Sequence, residues 1–493
     1  MNLLTLIIFV PLLAALGCLL VRSRRLMGAA NALAFAVILA LGTQLLREVV
    51  AHKVITECGE FFRADALSAW MVLLISVVSL GTSFYTGQYF RRDLAAGVVT
   101  PGRVKEFFVL TPLFTAGMLL VVLANNLGVM WFALEATALS SVLLVALYNR
   151  RTSLEAAWKY VILGSLGLAL ALFGTVFTYA AAAAIDRSST TLPSFNWSSL
   201  MSLSGQLNHG MIKLAFAFVL VGYGAKAGLA PMHTWLPDAH SEAPSPTSAM
   251  LSGVSLKVAL YALLRFHILT TACLGSSFSR TMLLVFGLGS MCLAAPFILV
   301  QTNLKRLLAY SSLEHVGLIC AAIGLNSPVT IFGALLHMGY HALTKPVLFF
   351  AAGNIHQTCH TLQMRLIGPG LISAIPLTVV CMGLAGIAAT GLPPFGLFFS
   401  EMTILGGGFA TDHAAISTLM ILALLACFCG ILYQLTRILL GTPKVQRTTD
   451  DIQFDGIPAM GLMLGTLLLF SVWLPIPLLN LMHRAAAIIG GEQ

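Results

Sequence analysis

Apolar runs of about 20 residues recur from one end of this chain to the other, each long enough to cross a ~30 Å hydrocarbon core as a helix. That feature removes most folds. Inside a bilayer the backbone must satisfy its own hydrogen bonds, which leaves helices or a closed barrel. The short alternating segments of a barrel are absent, so the chain reads as an all-α integral membrane protein. Only 9% of its 493 residues are charged, against about 25% in soluble domains. About fourteen spans are expected, near 3–22, 27–47, 66–88, 106–123, 125–147, 155–181, 209–229, 243–268, 281–301, 305–325, 329–355, 372–405, 413–440 and 456–482.

The net charge of +9 reads as loop charge, since no basic, aromatic-interleaved patch suggests nucleic acid. With the N-terminus outside, the inside loops hold Arg22, Arg24, Arg25, Arg91, Arg92, Arg103, Lys105, Arg150, Arg151, Lys305, Arg306, Arg365, Arg437, Lys444 and Arg447. The outside segments hold Arg47, Lys53, Arg63, Arg187, Lys213, Arg265, Arg280 and Arg484. This bias of about two to one predicts both termini on the outer, periplasmic side of a bacterial or archaeal inner membrane. The stretch MNLLTLIIFVPLLAALGCLL carries its positive charges after the apolar run, which predicts a retained first span rather than a cleaved signal. The cysteines form no CxxC pair, so no iron–sulfur or zinc framework is expected. His356, Cys359 and His360 read as an interfacial loop.

Two spans are interrupted in the same way. The seventh reads GYGAKAGLAPMHTWLP and the twelfth GIAATGLPPFGLFFSE. Each has a Gly-rich half, a break at Pro231 or at Pro393-Pro394, and an aromatic half. Proline removes a helical donor and clashes with the preceding turn. Paired broken helices about five spans apart point to a transport site built from inverted repeats; two unrelated kinks are the alternative.

A charge in hydrocarbon costs about 2.5–3.5 kcal/mol even on the lenient insertion scale, so deep ionisable residues mark pathways unless they reach an interface. Glu135 sits mid-span, with flanks too long for a carboxylate to reach water. Lys226 precedes the first break and Lys257 lies mid-span. His337, His341 and Lys345 are spaced by four, on one helix face. Glu401 follows the second break. Lys159, Glu314 and His315 are further candidates, and His233 and Asp238 could form a proton entry. Each has a plainer reading: a structural hydrogen bond for Glu135, snorkelling for the lysines, an interfacial carboxylate for Glu401, a local pair with Glu155 for Lys159. Burial and pairing pull proton affinities in opposite directions, so such groups can switch protonation as pairs open and close. No phosphate-binding GxxxxGK(S/T), nicotinamide fingerprint or haem CxxCH is present. The energy must then come from a partner or a counter-ion.

The stretches LEATALSSVLLVALYNRRTSLEAAWKYVILGSLGLALALFG, GAKAGLAPMHTWLPDAHSEAPSPTSAMLSG, NLKRLLAYSSLEHVGL, HALTKPVLFFAAGNI and GLPPFGLFFSE together resemble the antiporter-like membrane subunits of NADH:quinone oxidoreductase, multisubunit Mrp-type cation/proton antiporters and membrane-bound NiFe hydrogenases. The likeness is greatest to the F subunits of hydrogenase-4. It covers roughly residues 105–440. It implies an N-terminal three-helix segment (1–104), two inverted five-helix repeats (105–268 and 281–441) with broken helices seven and twelve, and a C-terminal helix (456–482). It also implies roles: Glu135 as the fifth-span glutamate, Lys226 as its partner lysine, Lys257 as the central lysine of span eight, and His337, His341, Lys345 and Glu401 as the second-half relay. The family's NADH-linked branch usually carries a histidine shortly before the span-eight lysine, and LSGVSLK has none. That absence and the Glu314-His315 pair tilt toward the hydrogenase branch. The tail HRAAAIIGGEQ departs from members with a long lateral helix.

The resulting expectation is a proton- or cation-translocating subunit of a respiratory redox complex. It would have no redox centre or metal of its own, with NiFe, iron–sulfur or flavin centres confined to partner subunits of the membrane arm and a peripheral arm. The alternatives are a gradient-driven Na⁺/H⁺ antiporter subunit, a quinone-reactive subunit and an inert scaffold.

Overall fold

The structure is a computed structural model that describes residues 2–185, 194–442 and 456–491. Arg187, Lys444 and Arg447 of the charge bias lie outside these residues. Helices α1 (Leu3–Leu20) and α2 (Arg24–His52) lead to a hairpin of β1 (Ile55–Glu57) and β2 (Phe62–Ala64), then to α3 (Ala66–Ala95). Next come α4 (Pro101–Leu123), α5 (Leu127–Val145), α6 (Arg151–Ala183), the short α7 (Trp197–Ser202), α8 (His209–Ala227), α9 (Trp235–Glu242), α10 (Ser245–Met250) and α11 (Leu256–Leu274). The rest comprises α12 (Ser277–Val300), α13 (Leu304–Gly324), α14 (Pro328–Cys359), α15 (Met364–Ile367), α16 (Pro376–Ala389), α17 (Gly396–Ala410), α18 (Ala414–Leu439), α19 (Ile457–Val472) and α20 (Ile476–Gly490).

Among the described residues, 11 helices are long and apolar enough to cross a membrane, or 12 if the α19–α20 pair, bent by 77°, is one span. About fourteen were expected from the sequence. The difference has physical causes. The 32-residue α14 carries His337, His341 and Lys345, which lower its apolarity. α16 and α17 are halves of 14 and 15 residues.

Among the described residues an apolar core is threaded by buried polar and charged side chains, and the perimeter is apolar as well. The α10–α11 unit is buried except at its C-terminal end, and α13 is nearly all buried. Leu20, Leu33, Phe132, Trp158, Val300 and Val472 stand exposed on the perimeter, an apolar rim that requires lipid or protein cover. Small residues bring the helices close. A Cβ at Gly222 of α8 would stand 2.5 Å from Gly167 O on α6, and one at Gly287 of α12 would stand 2.6 Å from Gly317 O on α13.

Both Pro-marked interruptions form. α8 ends at Gly228 with φ +84, and α16 is followed by Gly391 with φ +66, a conformation that favours glycine. Cis bonds follow at Ala230–Pro231 and Pro393–Pro394. Backbone groups freed at the first break find partners: Ala230 N–H donates to Ser290 Oγ (2.9 Å), and Trp235 Nε1–H donates to Ala225 O (2.9 Å).

Two residues assigned to loops by the charge bias are buried. Arg265 donates to Asp65 Oδ2 and Oδ1 at 2.6 and 2.8 Å, and Lys305 donates to Ala243 O at 2.8 Å. Neither is a free loop charge, because each found a partner at a helix end.

Candidate functional site

A π turn at Leu251–Ser255 joins α10 to α11. Such wide turns often mark functional positions. This one presents two carbonyls to Lys257, whose Nζ donates to Ser252 O (3.1 Å) and Gly253 O (2.6 Å) and lies 2.7 Å from His341 Nδ1 on α14. An ammonium has three donors. With two on carbonyls, the third falls to His341 Nδ1, which accepts. His341 Nε2 then carries the ring proton; that atom is buried and has no partner.

The same donor count settles the next ring. Ser400 of α17 donates to Leu397 O (2.8 Å), so its Oγ accepts from His337 Nδ1–H at 2.9 Å. In a neutral His337, Nε2 is bare and takes a proton from His315 Nδ1 of α13 at 3.0 Å. His315 Nε2 is left bare, buried and without a partner. The His315 and His341 rings lie edge to face, 4.9 Å between centroids. An orphaned donor and an orphaned acceptor on neighbouring rings are what one bridging water would satisfy.

The HxxxHxxxK face of α14 is buried throughout. Lys345 Nζ donates to Ser311 Oγ (2.6 Å) and Leu308 O (3.3 Å) on α13. Glu314 Oε2 lies 3.5 Å from His315 Nδ1, while its Oε1 has no partner. Glu401, next to Ser400, is 6% exposed and packs on Gly391 beneath the second break. Ligand atoms of His315, His337 and Glu401 lie within 4.8 Å of one another.

The first half is built differently. Lys226, 1% exposed, donates to Tyr160 Oη at 2.5 Å, and that oxygen lies 2.8 Å from Ser141 Oγ. The Tyr160 ring stacks on Trp235 across the break, 4.3 Å between centroids. The expected Glu135–Lys226 pair is not closed: ion pairs among the described residues do not include Glu135. The half-buried Glu135 lies at the edge of α5 beside exposed Phe132 and Leu139, and its Oε1 accepts only a long bond from Ser165 (3.5 Å). Lys226 instead reaches inward to α6.

Lys159 and Asp238 belong to the rim. Lys159 pairs with Glu155 (2.8 Å) and Asp238 (3.0 Å), and Asp238 also pairs with Arg306. The exposed pairing with Glu155 is the plainer of the two sequence readings. His233 is buried, its Nδ1 has no partner, and its ring lies beside Tyr310.

Three features escaped the sequence reading. Tyr160 and Ser400 complete the two networks, yet both offer hydroxyls, so a search for deep acids and bases passes over both. The Asp65–Arg265 fork also accepts support from Tyr261 Oη, 2.9 Å from Arg265 Nε. Burial alone would raise the Asp65 carboxyl; the Arg265 guanidinium outweighs it and holds the group at about 2. An apolar cavity of about 370 Å³ lies against the other face of α14, lined by Trp70, Leu74, Leu343, Phe470 and Leu478, with Thr43 and Arg47 among its few polar groups.

Comparison with known proteins agrees with this architecture. A protein of Methylacidiphilum infernorum (isolate V4) named Hydrogenase-4 component F homolog is 37% identical over 386 residues, 78% of this chain and 80% of that one. Hydrogenase-4 component B of Escherichia coli (strain K12) is 33% identical over 353 residues, 69% of this chain; the alignment spans 49% of that longer protein. A chain of the membrane-bound sulfane sulfur reductase, an archaeal respiratory membrane complex, shares the fold with a TM-score of 0.86 at 23% identity, over 99% of this chain and 97% of that one. Residues 124–426 match the family described as NADH:quinone oxidoreductase/Mrp antiporter, TM, and the chain belongs to that family of antiporter-like membrane subunits.

Proposed function

We propose that this chain is the proton-translocating membrane subunit of a respiratory redox complex, of the hydrogenase-4 kind or related to NADH:quinone oxidoreductase. The observation that carries this reading is the buried series Lys257–His341–His315–His337–Ser400, in which every junction but one is a hydrogen bond of 2.7–3.0 Å. An imidazole can accept at one ring nitrogen while donating from the other, which suits relay duty. A proton arriving at His341 Nδ1 from Lys257 releases the Nε2 proton through water to His315 Nε2. His315 Nδ1 then passes its proton to His337 Nε2, and the route ends beside Glu401. Lys345 and Glu314 flank the series and set its local charge.

The donor set favours H⁺ over Na⁺. Sodium is a hard cation that takes oxygen ligands, whereas this line consists of imidazoles and an ammonium that has only protons to offer. That argues against a sodium route through these groups.

In this reading the chain has about fourteen spans arranged as two inverted five-helix repeats, with both termini on the periplasmic side of the inner membrane. The matching broken helices, α8–α9 and α16–α17, support the repeat. Redox centres belong to partner subunits, and a neighbouring membrane-arm subunit covers the Phe132–Glu135–Leu139 edge of α5. A charge change in the partner acts on Glu135 and on the Lys226–Tyr160 pair, and from there on Lys257.

The test is Lys257→Met in the complete complex, with proton uptake into inside-out vesicles followed by a pH-sensitive dye. Assembly should persist and uptake should disappear. Uptake at the wild-type rate would remove Lys257 from the route.

A further inference from the structure

We propose that His315, His337 and Glu401 form a binding site for a borderline divalent transition-metal ion, zinc above all, whose occupancy blocks the relay.

The geometry is that of a three-ligand site. The residues come from α13, α14 and α17, all three are buried, and their ligand atoms lie within 4.8 Å of one another. Atoms bound to one tetrahedral zinc at about 2.0–2.1 Å stand about 3.4 Å apart, so a modest swing of the Glu401 carboxylate closes the set. His315 Nδ1 and His337 Nε2 are already 3.0 Å apart. Two imidazoles and one carboxylate, with a fourth position left open, suit zinc. Two nitrogen ligands disfavour sodium, calcium and magnesium.

The surroundings support a dication. Ser400 Oγ accepts from His337 Nδ1–H at 2.9 Å, the outer-shell bond that aims the other ring nitrogen at a metal. Glu314 keeps a buried oxygen without a partner beside His315. Glu401 and Glu314 can supply, on losing their protons to an incoming metal, the two negative charges that a buried dication needs. Pro393 and Pro394 are exposed, and Glu401 packs on the adjoining, partly exposed Gly391, which places the site near the surface at the second break. The site itself does not depend on the transport reading; the block does.

The test uses the purified complex containing the full chain, in lipid nanodiscs, with zinc as the probe. Zinc-edge X-ray absorption should report one equivalent with imidazole scattering, a measurement that needs no variant. His315→Gln and Glu401→Gln should each weaken zinc binding about 100-fold or more, Ser400→Ala about 10- to 100-fold, and His240→Ala, at a buried ring outside the set, should leave it unchanged. Absence of zinc uptake, zinc without imidazole neighbours, or wild-type zinc affinity in both ligand variants would overturn the site. Zinc held here with pumping unaffected would overturn the block and the relay while leaving the site. No zinc binding combined with pumping lost in His337→Ala would overturn the site and leave the relay.

Discussion

Replacing Lys257 by arginine separates a proton carrier from a fixed charge. Both side chains are cationic donors, and an arginine can address Ser252 O, Gly253 O and His341 Nδ1 as Lys257 does. A guanidinium, however, does not give up its proton in proteins. Its ordinary proton affinity exceeds that of lysine by about 2–3 pKa units, or about 2.7–4.1 kcal/mol. The neutral state that must form when His341 takes a proton then becomes about 10²- to 10³-fold rarer, and turnover through that step falls by the same factor. Overpacking adds about 1–3 kcal/mol to the stability side, so assembly is checked by native electrophoresis before rates are compared. Lys257→Met is the size-matched companion. It leaves His341 Nδ1 unsatisfied at about 1–3 kcal/mol but removes a buried charge, so it should assemble. Pumping by the arginine variant at more than half the wild-type rate, measured per assembled complex, would show that Lys257 never releases its proton and would refute the relay as drawn.

Asp65→Asn strips Arg265 of its counter-charge in a buried setting and should destabilise the chain by about 3–5 kcal/mol, read as a lower unfolding temperature in detergent. The Asp65 carboxyl is held below its ordinary value, so its stabilising effect is full above about pH 4 and fades as pH falls through about 2. Lys159→Ala removes a half-exposed rim pair and should change stability by no more than about 1 kcal/mol, with proton uptake near wild type; a collapse of uptake would return Lys159 to the route. Gly391→Ala places a methyl group on the Glu401 carboxylate at a backbone position with positive φ, and should cut uptake sharply while leaving the Lys226–Tyr160 half intact by cross-linking.

The sequence exposed what is costly and concealed what is neutral. Apolar runs and proline breaks located the spans because lipid and backbone leave few options there. Lys257, His337 and His341 could be singled out because a charge or imidazole in hydrocarbon needs a reason. That His315 lies between them was not visible, since it is contributed by α13 across a helix–helix contact with no local signature. Tyr160 and Ser400 look like ordinary interior hydroxyls in a sequence and gain meaning only from the Nζ and Nδ1 atoms beside them. Glu135 and Lys226 have other contacts in this structure, because residue spacing gives the face of a helix but not the direction a flexible lysine takes. The span count fell short where the groups of interest make α14 too polar to pass as a membrane helix.

The break in hydrogen bonding between the two halves bears on how energy enters. No hydrogen bond among the described residues joins Lys226–Tyr160–Ser141 to the Lys257 series, and Lys257 has all three donors engaged. A lysine so engaged has no donor free for a stray water. Releasing its proton requires a change in potential rather than a new contact. Two unit charges about 10 Å apart in a medium of effective dielectric about 20 interact by about 1.7 kcal/mol, more than tenfold in a proton equilibrium. Moving the Lys226 ammonium, or neutralising Glu135 from a neighbouring subunit, changes the potential at Lys257 without touching it. Under the proposed function, the open Glu135–Lys226 geometry would be the resting position of the switch, and closing that pair would be the step by which a redox event elsewhere reaches the buried histidines.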